Sequence, residues 1–303
     1  MNRACFRAAA FGCALLSTTA LTTPADAQSG QTAEPYRRAI DANGVNLVDG
    51  SFPFLFNEGA IGSGLGAVSV ERHGNGAYGA SNWQNYYIYQ TVSGSTTTAS
   101  VVLGDFSENF TSTSGGAFVA ASGDGSTLSS GYTFTASDGT TVTFGAPADD
   151  QYGASNLCGH VNANPNGCVA LADTITAPNG LTTTFTWDMA SLCSTTYNPD
   201  GSLDCSYAWR LASASNSAGY GVAFSFVSNT IAFHSLPSGN WYKRSGATLS
   251  NSNVSGATRS ISYSYVSSTV TDVTDAGGRT WRITSDSANR ITGVRFPGSS
   301  SDD

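Results

Sequence analysis

Charge is scarce in this chain. Only 11% of its 303 residues are Asp, Glu, Lys or Arg; Lys243 is the single lysine, Glu34, Glu58, Glu71 and Glu108 are the only glutamates, and there are two methionines. The residues that build exposed helix faces are therefore nearly missing, which excludes a helical bundle or coiled coil. Basic clusters are missing too, the nearest being the pairs Arg37-Arg38 and Lys243-Arg244 in a chain of net charge −8. Phosphate contacts need grouped Lys and Arg, so a nucleic-acid partner is excluded. No apolar stretch reaches the roughly 20 residues that a membrane-crossing helix needs.

The longest apolar run, 8–21, is broken only by small residues, follows Arg3 and Arg7, and leads into Thr22-Thr23-Pro24-Ala25-Asp26-Ala27. That order of positive start, apolar middle and Ala-x-Ala exit predicts a signal peptide over 1–27, cleaved after Ala27. The expectation is an exported protein, secreted, periplasmic or held at the cell surface. Removing Arg3, Arg7 and Asp26 from 13 basic and 21 acidic residues leaves 11 and 20, a still more acidic mature chain.

What the chain has in quantity is Gly, Ser, Thr, Asn and aromatics, a composition suited to strands and turns. Four segments share one layout, a turn ending in glycine followed by alternating Thr, aromatic and aliphatic residues. They start at Asp138-Gly139, Asn179-Gly180, Ala218-Gly219 and Gly277-Gly278, with the second glycines 41, 39 and 59 residues apart. Each reads as a hairpin with a type I′ turn whose second strand puts alternate residues, such as Val142 and Phe144, on one face. The fold class expected is all-β, antiparallel hairpin repeats in an extended or spiralling sheet.

The last of these segments, 272–294, carries Asp275-Ala-Gly-Gly278-Arg279 and Asn289-Arg290-Ile291 and resembles the YD-repeat (RHS) family pattern D-x-x-G-R-x-T-x-Y-x-Y-D-x-x-G-R-L. Ser285 stands at the name-giving tyrosine and Asn289 at a glycine. The stretch Asn43-Gly44 to Phe54, then Ile61-Gly-Ser-Gly64 and Asn82-Trp83, is similar to the region preceding the repeats in long bacterial members. The resemblance implies a β-sheet shell or wrap, often around a cargo such as a toxin, with an N-terminal β region over 28–130, repeats over 131–297 and a flexible tail over 298–303. It implies a non-enzymatic scaffold or surface-interaction module, with a protein or cell-surface glycan as partner. Self-association, or pairing with further repeats, is expected through the C-terminal sheet edge. In that last hairpin Trp281 and Ile283 are expected to bury against Phe224 and Phe226.

Motifs of chemistry are few, and no catalytic or cofactor-binding residue is assigned. The G-x-G-x-x-G at 74–79 precedes a strand-like run, not the helix that a dinucleotide site requires. His73, His160 and His234 lie in unrelated contexts; an extracellular hydrolase, the second alternative, would use His73 or His234 as base. Asn198, Asp200, Ser202 and Asp204 place oxygens at every second position, a partial calcium-loop pattern without its closing Glu, and also a strong turn sequence. Trp83, Tyr87 and Tyr89 alternate along a strand and could stack on sugars, which makes a secreted carbohydrate-binding module the first alternative.

Of six cysteines, Cys5 and Cys13 leave with the signal peptide. The other four allow three pairings, and the short Asn-, Gly- and Pro-rich loops they bound favour Cys158 with Cys168 and Cys193 with Cys205. Spacings of ten and twelve do not suit zinc. Peptide mapping without reduction is expected to recover these two links and no free thiol, and crossed links would overturn the pairing. Each short closure contributes on the order of 3 kcal/mol, so reduction should weaken the fold without abolishing it.

Overall fold

The computed structural model describes residues 55–63, 66–73, 83, 85–104, 106–145, 168–197, 203–230, 239–287 and 291–300. The expected signal peptide and residues 28–54 lie outside these. The chain is all-β, with one four-residue helix among the described residues.

A first hairpin pairs β1 (Leu55–Ile61) with β2 (Val68–His73). A second series follows: β3 (Tyr86–Ser93), β4 (Thr96–Leu103), β5 (Phe106–Thr113) and β6 (Val119–Ala120), each antiparallel to the one before. The short strands β7 (Thr127–Leu128), β8 (Thr133–Thr135) and β9 (Thr141–Gly145) lead to β10 (Cys168–Thr176). From there the sheet advances strand by strand through β11 (Thr182–Tyr197), β12 (Leu203–Asn216), β13 (Tyr220–Phe226), the helix α1 (Gly239–Tyr242), β14 (Arg244–Asn251), β15 (Thr258–Tyr265), β16 (Val270–Thr274), β17 (Thr280–Ser285) and β18 (Ile291–Arg295). Strands on both sides of residue 130 thus share one sheet.

β10 is the branch point. Along one edge it pairs with β9, while along the other its first half pairs with β3 and its second half with β11. Leu171 faces both Gly145 and Tyr87, whereas Thr174 faces both Thr143 and Thr184. Two strands taking turns on one edge must diverge, so the sheet forks there.

Alternation supplies the buried face. Val222 and Phe224, Ala247 and Leu249, Ile261 and Tyr263, and then Val273, Ile283 and Val294 are buried along successive strands. Around β3 to β10, Ile88, Val101, Phe110, Phe134, Val142 and Phe144 form the continuation of the same core. Val142 and Phe144 are buried together as their spacing predicts.

The four glycine turns adopt a different geometry from the one expected. Gly139, Gly180, Gly219 and Gly278 have φ of 88°, 82°, 88° and 77°, but Asp138, Asn179, Ala218 and Gly277 stay outside the left-handed region that a type I′ turn would require of them. In every case the glycine N–H donates to the carbonyl three residues back, at 2.9 Å. The loop is three residues long, a type I turn closed by a left-handed glycine. Asp138 Oδ1 and Asn179 Oδ1 accept the N–H two residues on, at 2.8 and 3.0 Å, which rewards an acid or amide before the glycine.

The β1–β2 hairpin lies over β13 to β16 and is pinned there by a buried carboxylate. Glu58, 2% exposed, accepts Arg72 Nε at 2.8 Å and the Tyr263 hydroxyl. Its carbonyl accepts Ala276 N–H at 2.8 Å, and Gly59 lies so close to Ala276, Ile261 and Leu249 that a Cβ there would meet the Ala276 methyl at 2.6 Å. Phe56 rests on Trp281 with ring centroids 4.4 Å apart. Trp281 and Ile283 do share a face, but Trp281 packs on Phe56 and Phe296, not on Phe224 and Phe226, because the hairpin and not the preceding unit covers this end of the sheet.

The turn at Asp275 joins this arrangement. Its buried carboxylate accepts Gly277 N–H, Arg279 N–H and Arg279 Nε, each at 2.9 Å, and Trp281 Nε1 at 3.2 Å. Burial alone would raise the Asp275 pKa, but these donors hold it below the ordinary aspartate value, as the Arg282 bonds do first of all for Asp272.

Two outcomes follow for stability. Glu58→Ala strands Arg72 and the Tyr263 hydroxyl and is expected to cost about 3–5 kcal/mol, against about 1–2 kcal/mol for Tyr263→Phe, both read by denaturant unfolding. The depressed folded-state pKa values of Asp272 and Asp275 contribute stability that is present above the ordinary aspartate value, near 4, and lost as pH falls through the folded values. Unfolding followed from pH 7 to 2 should show that loss, and Asp275→Asn should flatten it.

Candidate functional site

Where β11 and β3 part from β10, a cleft of about 220 Å³ opens. Trp83, Asn85 and Tyr86 line it from the approach to β3, Trp187 and Trp209 from the β11–β12 hairpin, and Tyr242 from α1, with Arg210 and Arg244 at its floor and flank. Three of the chain's five tryptophans are in this one place.

Local structure explains most of these positions. The register of β11 against β12 slips between Thr186 and Trp187, turning the indole toward the strand that β11 is leaving. There Trp187 Nε1 donates to Ala172 O at 2.8 Å and the ring stacks on Phe185 at 6.2 Å and 15°. Trp83 Nε1 donates to Ser69 O at 2.5 Å, and its ring meets Tyr86 and Phe185 at 6.4 and 6.3 Å. Asn85 sits at φ 66°, a left-handed conformation that asparagine tolerates and that swings the chain from the Trp83 turn into β3. The Trp209 indole, half-buried, has no aromatic or hydrogen-bond partner among the described residues.

The two arginines differ in kind. Arg210 is buried between the Phe226 and Trp241 rings, 3.7 and 4.2 Å from their centroids. Its donors reach Asp188 Oδ2, Asn229 Oδ1 at 2.7 Å, Ser228 O at 3.0 Å and Trp241 O at 2.5 Å. It is a structural clamp. Arg244 lies over the Phe224 ring at 3.9 Å, and its guanidinium makes one long bond, 3.4 Å from Nη2 to Trp83 O.

The aromatic trio read from sequence is divided by the structure. Trp83 precedes β3 and packs on Tyr86, whereas Tyr87 and Tyr89 point to the opposite face, where Tyr89 is 41% exposed and neither lines the cleft. Trp83 alone of the three belongs to the site. Trp187, Trp209, Tyr242 and Arg244 carry no sequence signal that would join them to it, since only the fork brings residues 83 and 244 together.

The other candidates are placed as follows. Cys193 and Cys205 are directly opposed in the β11–β12 register, and Cys168 is buried at the start of β10; Cys158 lies outside the described residues. Asn198, Asp200 and Ser202 lie outside them as well, and Asp204 falls in β12 with its side chain undescribed. His73 ends β2, its side chain likewise undescribed, and His160 and His234 are outside the described residues.

The contrast within the cleft is measurable. Arg210→Ala leaves a carboxylate, the buried Trp241 carbonyl and the part-buried Ser228 carbonyl without their donor and is expected to cost about 3 kcal/mol. Trp209→Ala removes a half-exposed ring without partners and should cost about 1 kcal/mol or less. Denaturant unfolding of the two variants decides between these values, and equal costs would mean that Trp209 is core. No protein-family model and no curated protein matches the chain, so the chemistry of the cleft is what bears on its role.

Proposed function

We propose that the chain is an exported, non-enzymatic binding module built on a YD-type hairpin sheet, and that it holds one sugar ring of a cell-surface or extracellular glycan in the aromatic cleft. The observation that carries this reading is the convergence of Trp83, Tyr86, Trp187, Trp209 and Tyr242 on a space sized for a single ring. Flat apolar faces stack on the C–H faces of a pyranose, while the Asn85 amide offers polar contacts to its rim. Among the described residues lining the cleft there is no carboxylate, histidine, serine or cysteine. Glycoside hydrolysis uses a pair of carboxylates, so the lining favours binding over turnover.

Export and the two disulfides belong to the same proposal. Directly opposed antiparallel residues have Cα atoms about 4.5–5.5 Å apart, inside the range a disulfide spans, which supports a Cys193–Cys205 link across the long hairpin. A disulfide at that position would brace the β11–β12 arm on which Trp187 and Trp209 stand.

Three indoles at one site make intrinsic fluorescence the direct readout. Titration of the mature chain with a panel of oligosaccharides is expected to shift tryptophan emission with at least one of them and to leave it intact on chromatography. Trp209→Ala should weaken that binding about tenfold, as the loss of one ring contact implies. A panel without any binder would overturn the glycan reading, and cleavage of the bound oligosaccharide would replace it with a hydrolase.

A further inference from the structure

We infer that the cleft selects an acidic sugar, a ring bearing a carboxylate, and that Arg244 is the residue that reads its charge; this rests on the glycan reading of the same cleft. The reason lies in the difference between two arginines a few residues apart in space. A guanidinium has five N–H donors and loses much of its hydration when it leaves water. Arg210, against Phe226, recovers this loss through Asp188, Asn229 and two carbonyls. Arg244, against Phe224, recovers only the 3.4 Å contact to Trp83 O, and no carboxylate pairs with it among the described residues.

The charges around Arg244 do not settle its own. The nearby carboxylate is Glu58, and it is already bound by Arg72 at 2.8 Å and by the Tyr263 hydroxyl. Glu58, Arg72 and Arg244 together therefore carry one positive charge in excess, on the flank of an aromatic cleft. Lys243 adds a second cation nearby, its ammonium 5.1 Å from the Tyr265 ring. In a chain of net charge −8 this local sign is the reverse of the whole. A planar carboxylate fits the two-pronged edge of a guanidinium and gives the short, charge-assisted bonds that a neutral hydroxyl cannot. The aromatic rings would hold the sugar and exclude water, which strengthens the pairing. Trp83 takes part twice, since its carbonyl positions Arg244 and its ring lines the space that the sugar would fill.

The test compares uronic-acid oligomers with their methyl esters, which keep the ring and remove the charge, on the unmodified mature chain by tryptophan fluorescence and calorimetry. The acid form is expected to bind at least tenfold more tightly than the ester and to weaken with added salt. Arg244→Gln should bring acid binding down to that of the ester, and Arg244→Lys should restore part of the difference, since charge without the planar fork is retained. Equal binding of acid and ester by the unmodified chain would overturn the charge selection and leave the glycan cleft standing. Absence of binding by both, together with a neutral oligomer that does bind, would also overturn it. Absence of binding by every oligomer tested would overturn the glycan reading itself.

Discussion

A sheet that grows sideways by hairpins must hide one apolar face along its whole length, and the buried Glu58 determines what hides it here. Without that carboxylate the β1–β2 hairpin would rest on β13 to β16 through apolar contacts, which have no preferred register, and through two bonds to its backbone carbonyls, from Ala276 N–H to Glu58 O and from Asn216 Nδ2 to Gly66 O. Glu58 adds direction. It ties Arg72 from its own hairpin to Tyr263 from the sheet, and its carbonyl takes the Ala276 N–H of the far turn. An ion pair this deep gains little net energy over a hydrophobic substitute, because desolvation consumes most of the attraction. What it supplies is position, since a displaced hairpin would leave a charge buried and unpaired. The close fit of Gly59 over Ala276 and of Gly62 over the Tyr220 ring adds steric limits to the same placement.

The same cover sets the cleft. Trp83 Nε1 donates to Ser69 O in β2 at 2.5 Å, which ties the approach to β3 to the hairpin. β3 then occupies the first half of a β10 edge that β11 occupies further on. Divergence of the two leaves a wedge that neither strand can fill with backbone, and large rings from four separate segments fill part of it. The arginines complete the division of labour, with Arg210 holding the wall formed by α1 and β12 and Arg244 left facing the opening.

Much of this was legible from local pattern. Period-two alternation with glycine turns is a short-range code, and the faces of Val142 and Phe144 and of Trp281 and Ile283 follow from it. Turn type was not, because a three-residue loop and a two-residue loop both end in glycine and differ only in which residue closes the ladder. Partners across the core were not legible either. Phe56 and Trp281 stand far apart in the chain, and nothing in the alternation of either segment names the other. The cleft was the least legible, since it depends on one strand edge being shared by two others. A row of aromatics such as Trp83, Tyr87 and Tyr89 looks continuous in sequence only when Trp83 is taken as part of the strand that begins at Tyr86.

The D-x-x-G-R signature at Asp275 shows why a turn motif can matter beyond its turn. Gly278 supplies the left-handed position, and Asp275 gathers the N–H groups of Gly277 and Arg279. An ordinary hairpin would need no more than these bonds. Here the second carboxylate oxygen also holds the Arg279 guanidinium and the Trp281 indole, and Trp281 is the ring on which Phe56 lies. The middle residue, Ala276, gives its N–H to Glu58 O and its methyl to the contact with Gly59. Two parts of the turn thus act on the covering hairpin, Asp275 through the Trp281 indole and Ala276 through its own N–H and methyl. The turn is a docking element for the cover, and the constraint that begins at Glu58 ends at Asp275.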